Sequence, residues 1–338
     1  MSSMPVSLSV PDCILPLVSV SLPLVLTCIL CLVRRHTASV SHLLLADRQL
    51  AVVPVAVSLA VSSISVNVPQ DVSTFSMALV SSVLGMAIIP NLFLSVFHSL
   101  QLTSVYEYLE LRYSCWLVRR LVSLAVLACS QLYAGVLLLT ACTSLAVLTG
   151  IPAYPYIVCG MLLPVLVLPC GGVGCVVWTG VWQAGVVVAG ITTVLVTAWQ
   201  DDPQVVVKAV SLAGGVWLPA SEEILHTMAV VSGQVILWCA VYGCHQAHTM
   251  RYCSTVSAVQ ARVSLCLSIL ATCVLSTGVF LASKSIRDRY HHSGQAQAGT
   301  GQMDQALLFF SQQVQSRESH SLLPLTTLPP RFCLQSPG

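Results

Sequence analysis

The chain has 338 residues, of which 56% are hydrophobic and only 8% are charged, and its formal net charge is +2. Soluble domains carry about 25% charged residues. The composition therefore excludes an ordinary water-soluble domain and indicates helices that face lipid. No basic run is interleaved with aromatic residues, which argues against a nucleic-acid partner.

Eight segments are apolar enough to be transmembrane helices, since a spanning helix needs about 20 mainly apolar residues. In chain order they are 13–33, 50–66, 75–97, 121–149, 153–168, 176–198, 227–243 and 261–283. The sequence therefore predicts an all-α, polytopic membrane protein of about eight transmembrane helices. The second, fifth and seventh segments are short, either because transporter helices break near the midplane or because their boundaries are misplaced by a few residues.

The distribution of basic residues predicts the orientation of these helices. The first 33 residues carry no Lys or Arg, whereas Arg34 and Arg35 follow the first segment. A cleaved signal peptide has the opposite order, so we expect an uncleaved first helix with its N-terminus outside. In that orientation seven basic residues fall in inside loops and one, Lys208, falls in an outside loop, as the positive-inside rule predicts. The basic residues after 283 would lie outside and conflict with this orientation.

Three regions follow from this reading. Residues 1–39 form an extracellular N-terminus and an extra first helix, residues 40–283 form the membrane core, and residues 284–338 form a polar tail. The tail is rich in Gln, Ser, Gly and His, and we expect it to be disordered because it has too little apolar surface to fold alone.

The most specific stretch is 103–113, TSVYEYLELRY. Ser104 and Glu107 have capping-box spacing, which predicts a helix start, and the tyrosines suit a membrane interface. The stretch resembles the Thr-x-x-x-Glu-Tyr-Leu-x-x-Arg-aromatic signature of the sodium:solute symporter family, in the branch of the iodide, multivitamin and monocarboxylate carriers. The matching residues are Tyr106, Glu107, Tyr108, Leu109 and Arg112.

Three further motifs of the same family occur in order. Residues 48–59 resemble the start of its first core helix. Two later runs resemble Gly-Gly-x-x-x-Val-x-Trp-Thr-Asp-x-x-Gln and Tyr-Gly-x-Asn-Gln…Arg-Tyr, and the whole resemblance covers 40–283. The matching residues of these two runs are Gly171, Gly172, Trp178, Thr179, Gln183, Tyr242, Gly243, Gln246, Arg251 and Tyr252.

The resemblance implies a partial LeuT-like inverted-repeat core, in which sodium and solute bind where the first helix of a repeat unwinds. It implies sodium-coupled symport of a small solute, namely an anion, a monocarboxylate or a vitamin, across the plasma membrane. Sodium is the coupling ion and no other cofactor is implied. Backbone carbonyls of Val61 and Ile64 would bind sodium, and Ser63 would lie on the substrate side. Ordinary helix packing is the competing explanation for the serines in this segment.

The sequence departs from the family in several places. The segment between Ile64 and Pro69 is about one turn short and lacks the usual glycine, Gly180 replaces an Asp, and His245 replaces an Asn. The chain also ends after the seventh core helix, so the eighth helix, which supplies sodium-binding hydroxyls in the family, has no counterpart.

This last departure leaves two hypotheses open. The sequence is a C-terminally truncated piece of a symporter, or it is a transport-inactive truncated membrane protein with a structural or regulatory role. On either hypothesis we expect the 338 residues alone to show no sodium-dependent uptake.

No enzyme is predicted. The sequence shows no Ser-His-Asp or paired-carboxylate arrangement, and the glycines of 171–174 lack the Gly-Lys-Ser/Thr of a phosphate loop. His245 and His248 could share a helical face and bind a metal, but no third ligand is apparent, so we interpret them as solvated loop histidines. A seven-helix receptor is disfavoured because the segment count is eight and Asn-Pro-x-x-Tyr is absent.

Overall fold

The structure is a computed structural model, and it describes residues 45–64, 72–100, 102, 104–149, 152–201, 203, 207, 211 and 224–292. The predicted first segment, 13–33, lies outside these residues, as do Ser65 and most of the predicted tail. In the described part the chain is helical, with one isolated parallel bridge between Leu50 and Thr255.

Nine α-helices account for most of the described residues. They are α1 (Val52–Ser63), α2 (Val72–Leu92), α3 (Leu94–Ser99), α4 (Val105–Tyr113), α5 (Trp116–Thr149), α6 (Ala153–Asp201), α7 (Ile224–Cys239), α8 (Gln246–Cys253) and α9 (Ala258–His292). A 3₁₀ turn, Ala46–Arg48, precedes α1, and a π-helical turn, Ala240–Cys244, extends α7.

Among the described residues, five stretches are long and apolar enough to cross a membrane. They are Val72–Ser99, Trp116–Thr143, Gly172–Gln200, Ile224–Cys244 and Ala258–Ser285. Two shorter apolar helices, Val52–Ser63 and Ala153–Leu162, correspond to the predicted second and fifth segments. The predicted all-α, multi-pass membrane architecture is therefore confirmed.

Two backbone features define the helix boundaries that matter for the site. Gly172 has φ 57° and ψ −160°, so α6 is two helices joined at a sharp turn that glycine adopts without steric cost. This turn separates the predicted fifth and sixth segments. The last helix, α9, continues to His292, nine residues beyond the predicted core boundary at 283.

Helix α1 packs directly against α9 and the second half of α6, while α2 packs against α9 and α7 packs against α2. Helix α9 runs in the same direction as α1, because the Leu50 N–H donates to the Ser254 carbonyl at 3.1 Å near one end and Ser63 Oγ lies 3.0 Å from Thr272 Oγ1 near the other. Helix α2 runs in the opposite direction, with Phe75 stacked on Phe280 of α9 at 4.2 Å between ring centroids. Helix α7 runs parallel to α2 and packs on it.

The apolar core has two parts along α1. The larger part surrounds the first turns of α1 and includes Val55, Leu59, Met86 and Val177. The smaller part surrounds its last turn, and its buried members are Ala60, Val61, Ile64, Ala184, Val187 and Leu275. The C-terminal end of α1 is therefore packed between the second half of α6 and α9, inside the molecule.

Candidate functional site

The C-terminal end of α1 lies inside the protein. The helix ends at Ser63, and Ile64 is extended with φ −68° and ψ 120°. The Ile64 N–H donates to the Val61 carbonyl at 3.2 Å. Val61 and Ile64 are 0% and 8% exposed. The last carbonyls of a helix lack the usual partner four residues further along the chain. The Val61 carbonyl accepts from Ile64 instead, and its second lone pair is an oxygen ligand of the kind that a hard cation binds.

Ser63 connects this end of α1 to α9. Its hydroxyl donates to the Ala60 carbonyl and lies 3.0 Å from the hydroxyl of Thr272, and both side chains are buried. The smaller apolar core cluster lies at the same end of α1. Sequence reasoning missed Thr272, and its only signal was a hydroxyl residue inside an apolar segment.

The preceding turn of α1 carries a second polar cluster, centred on Arg251 of α8. The Arg251 Nη1 donates to Ser62 Oγ at 2.7 Å and to the carbonyl and hydroxyl oxygens of Ser58, both at 3.3 Å. The side chain is 1% exposed. Burial lowers the pKa of Arg251 to about 10, so the guanidinium remains charged at neutral pH. The sequence places Arg251 among the seven basic residues of the inside loops, whereas the structure buries it against α1.

Two tyrosines complete this cluster. The Tyr242 hydroxyl donates to the Leu59 carbonyl at 2.8 Å. The Tyr252 hydroxyl donates to Thr249 Oγ1 at 3.3 Å, and Thr249 donates to the Gly243 carbonyl at 3.2 Å. The π-turn after α7 and the short helix α8 are thereby joined to each other and to α1.

Comparison with known proteins finds transporters among the relatives of this chain. No protein-family model matches the chain. The sodium-coupled monocarboxylate transporter 1 of Xenopus laevis is 30% identical over 264 residues, which are 69% of this chain and 40% of that protein. The human sodium/iodide cotransporter is 29% identical over 234 residues, which are 64% of this chain and 36% of that protein. The chain thus spans less than half the length of these curated relatives.

A solved structure shares the fold. It is the substrate-bound outward-open state of a Na⁺-coupled sialic acid symporter, with a TM-score of 0.74, 16% sequence identity, and coverage of 97% of this chain and 72% of that chain. The chain is related by sequence to the sodium:solute symporter family. The predicted resemblance is confirmed, and the relatives found are transporters and not enzymes.

The signature of the symporter family lies at the start of α4. Ser104 caps this helix by accepting from the Tyr106 N–H at 3.3 Å, and it donates to Gln246 Oε1 at 3.1 Å. The predicted helix start is confirmed, but the side-chain cap engages the N–H of Tyr106 instead of that of Glu107. The ring of Tyr108 packs edge-on against Phe97 at 6.0 Å. Leu109 is half-buried and Arg112 is exposed.

The Gly-Gly motif of the family spans the turn in α6 and the helix that follows. Gly171 precedes the turn at Gly172. The side chain of Thr179 is buried and that of Trp178 is 46% exposed. The Oε1 atom of Gln183 is buried without a hydrogen-bond partner among the described residues. The Thr179 hydroxyl donates to the Val176 carbonyl at 2.9 Å, within its own helix.

The departure at Gly180 has a structural reason. A Cβ placed on Gly180 would lie 2.7 Å from Ser58 Oγ and 3.1 Å from Ser58 Cα. The family's Asp at this position would therefore collide with α1. Helices α1 and α6 approach each other more closely here than any side chain at 180 permits.

Both histidines are half-buried and packed against other side chains, so their interpretation as solvated loop residues was wrong. His245 caps α8 by accepting from the Ala247 N–H at 3.3 Å, and its Nε2 lies 3.4 Å from Ser130 Oγ. His248 stacks on Tyr242 at 4.6 Å. Burial lowers the pKa of both imidazoles. In the described ranges no group of three or more His, Cys, Asp or Glu could hold a metal ion.

Proposed function

We propose that this protein takes part in sodium-coupled symport of a small solute, such as an anion, a monocarboxylate or a vitamin, across the plasma membrane. The observation that carries the proposal is the break of α1 at Ile64, enclosed by helices of a symporter-like fold. The names of the relatives, a monocarboxylate transporter and an iodide cotransporter, support the solute class.

Sodium would bind at the carbonyl oxygens of Val61 and Ile64. A cation that leaves water must regain oxygen ligands, because an uncompensated charge in an apolar interior costs many kcal/mol. The end of a broken helix offers such ligands without a carboxylate. Ser63 would lie on the substrate side, although its bond to Thr272 is equally consistent with helix packing.

The end of α1 that carries Val52 would face the cytoplasm. The Arg residues at 48, 112, 119 and 120 lie near this end, in the turn before α1, in α4 and at the start of α5. Positive charge in short loops favours the cytoplasmic side. The three-region division at 39 and 283 remains our proposal for the chain as a whole, with the first part of the tail helical to His292.

The alternative is a transport-inactive truncated membrane protein. Nothing in the described residues favours it over symport, and the relatives are transporters. Both hypotheses give the chain the same ancestry, and they differ in whether the 338 residues are a piece of an active symporter.

Sodium-specific stabilisation of the purified chain in detergent tests the proposal. Sodium chloride should raise the melting temperature more than potassium or choline chloride at equal ionic strength, because a ligand that binds the folded state stabilises it. Equal melting curves in the three salts would overturn the proposal. Uptake of iodide, biotin, pantothenate and lactate into liposomes under a sodium gradient then tests the 338 residues alone. We expect none on either hypothesis, and saturable sodium-dependent uptake would show that these residues suffice for symport and would exclude the inactive alternative. Transcript sequencing across the 3′ end separates the two hypotheses, because a longer transcript that adds a Ser/Thr-rich apolar helix supports symport.

A further inference from the structure

Arg251 is a buried cation that contacts α1 through a single nitrogen. Its Nη1 reaches three oxygen atoms, which belong to Ser58 and Ser62. Among the described residues no carboxylate forms an ion pair with it. A guanidinium removed from water is costly unless it is well compensated.

We propose that Arg251 is a positioning residue that fixes the last turn of α1 for sodium binding. This inference rests on the proposed function. It adds to it the α8 segment, which lies outside the proposed sodium-binding residues Val61 and Ile64. Arg251 and Tyr242 act through α1 and do not touch the ion. Their role is to set the rotation and height of the helix end that carries the Val61 and Ile64 carbonyls.

The positions of the contacts support this role. Ser58, Leu59 and Ser62 lie within about one helical turn of Val61, since an α-helix rises about 1.5 Å per residue. Ser62 Oγ also donates to the Ser58 carbonyl at 2.7 Å, so Arg251 holds a hydroxyl that itself bridges the last two turns of the helix.

The surrounding contacts leave α1 little freedom to move independently of α8. On one side Gly180 approaches Ser58 so closely that no side chain fits between them. At the start of α1, the Leu50 N–H is bonded to the carbonyl of Ser254, the residue that follows α8. A displacement of α8 should therefore move α1 as well. The two proposed sodium-binding carbonyls, at the C-terminal end of α1, would move with the helix.

The test measures the sodium concentration that gives half-maximal thermal stabilisation of the full chain in detergent. Arg251→Met and Ser62→Ala should each raise this concentration about fivefold or more, the lower end of typical coupling between sites. Arg251→Lys keeps the charge and should be affected less than Arg251→Met. Arg262→Met, at an exposed position early in α9, is the matched control and should leave the concentration unchanged. The sodium concentration for the double variant should be no higher than for Arg251→Met, because both changes remove the same bond between Arg251 and Ser62.

A purely structural role would give a different result. It would lower the sodium-free melting temperature of Arg251→Met and Ser62→Ala while leaving the sodium concentration within about twofold of wild type, and that outcome overturns the inference. If Arg251→Met does not fold, Ser62→Ala and Arg251→Lys decide by the same criterion. A wild-type chain that shows no sodium-specific stabilisation overturns the proposed function itself, and the inference with it.

Discussion

Replacing Gly180 with alanine should separate α1 from α6. The added Cβ would lie 2.7 Å from Ser58 Oγ, 3.0 Å from Ser58 Cβ and 3.1 Å from Ser58 Cα. Carbon atoms in contact prefer about 3.5–4.0 Å, so the helices must move apart by about 0.5–1 Å. Ser58 cannot simply turn away, because the nearest backbone atom is its own Cα and its oxygens are bonded to Arg251.

The expected cost follows from two opposing terms. Overpacking of a tight interior contact costs about 1–3 kcal/mol. Alanine is favoured over glycine within a helix by about 1 kcal/mol, which offsets part of that cost. We therefore expect Gly180→Ala to destabilise the protein by about 1 kcal/mol, with a range of about 0–2 kcal/mol.

A second glycine of α6 is the control. Gly185 has no atom within 4 Å of an added Cβ, so Gly185→Ala should be neutral or stabilise by up to about 1 kcal/mol. The difference between the two variants isolates the steric term, about 1–3 kcal/mol. Melting temperatures in detergent, measured for both variants beside wild type, check it. Equal melting temperatures for Gly180→Ala and Gly185→Ala would refute the close crossing of α1 and α6.

Three further predictions concern other parts of the chain. Ser104→Ala should lower stability by about 0.5–2 kcal/mol because α4 loses its cap, and an unchanged melting temperature in detergent would show that the cap is dispensable. His245 and His248 have a lowered pKa in the folded state, so the unfolded state binds more protons and stability should fall as the pH drops below about 6.5. Melting curves between pH 5 and 8, about the range in which histidine titrates, should show a smaller fall for His248→Gln. A cysteine at exposed position 112 should react with an impermeant reagent only after the cells are opened, and labelling of intact cells would reverse the proposed orientation.

The helices were predictable because lipid-facing segments are apolar over most of their length. Among the described residues, their order followed from composition alone, and the turn at Gly172 separates the predicted fifth and sixth segments. The end of α1 near Ile64 was expected from the family resemblance, since nothing local marks it: the usual glycine is missing there.

The polar clusters around α1 were not predictable, because each depends on residues far apart in the chain. Ser63 and Thr272 are 209 residues apart, and Arg251 and Ser62 are 189 residues apart. A charged residue between two apolar segments ordinarily lies in water, so the burial of Arg251 has no local signal. The close contact at Gly180 is equally a property of two helices, and the sequence shows only that a side chain is absent.

Binding of radioactive sodium to the purified chain tests the central claim most directly. The claim is that the end of α1 forms a sodium site within a symporter-like bundle. We expect saturable binding that unlabelled sodium displaces and that potassium and choline at the same concentration do not. Binding that fails to saturate, or that potassium displaces as well as sodium does, would contradict the claim.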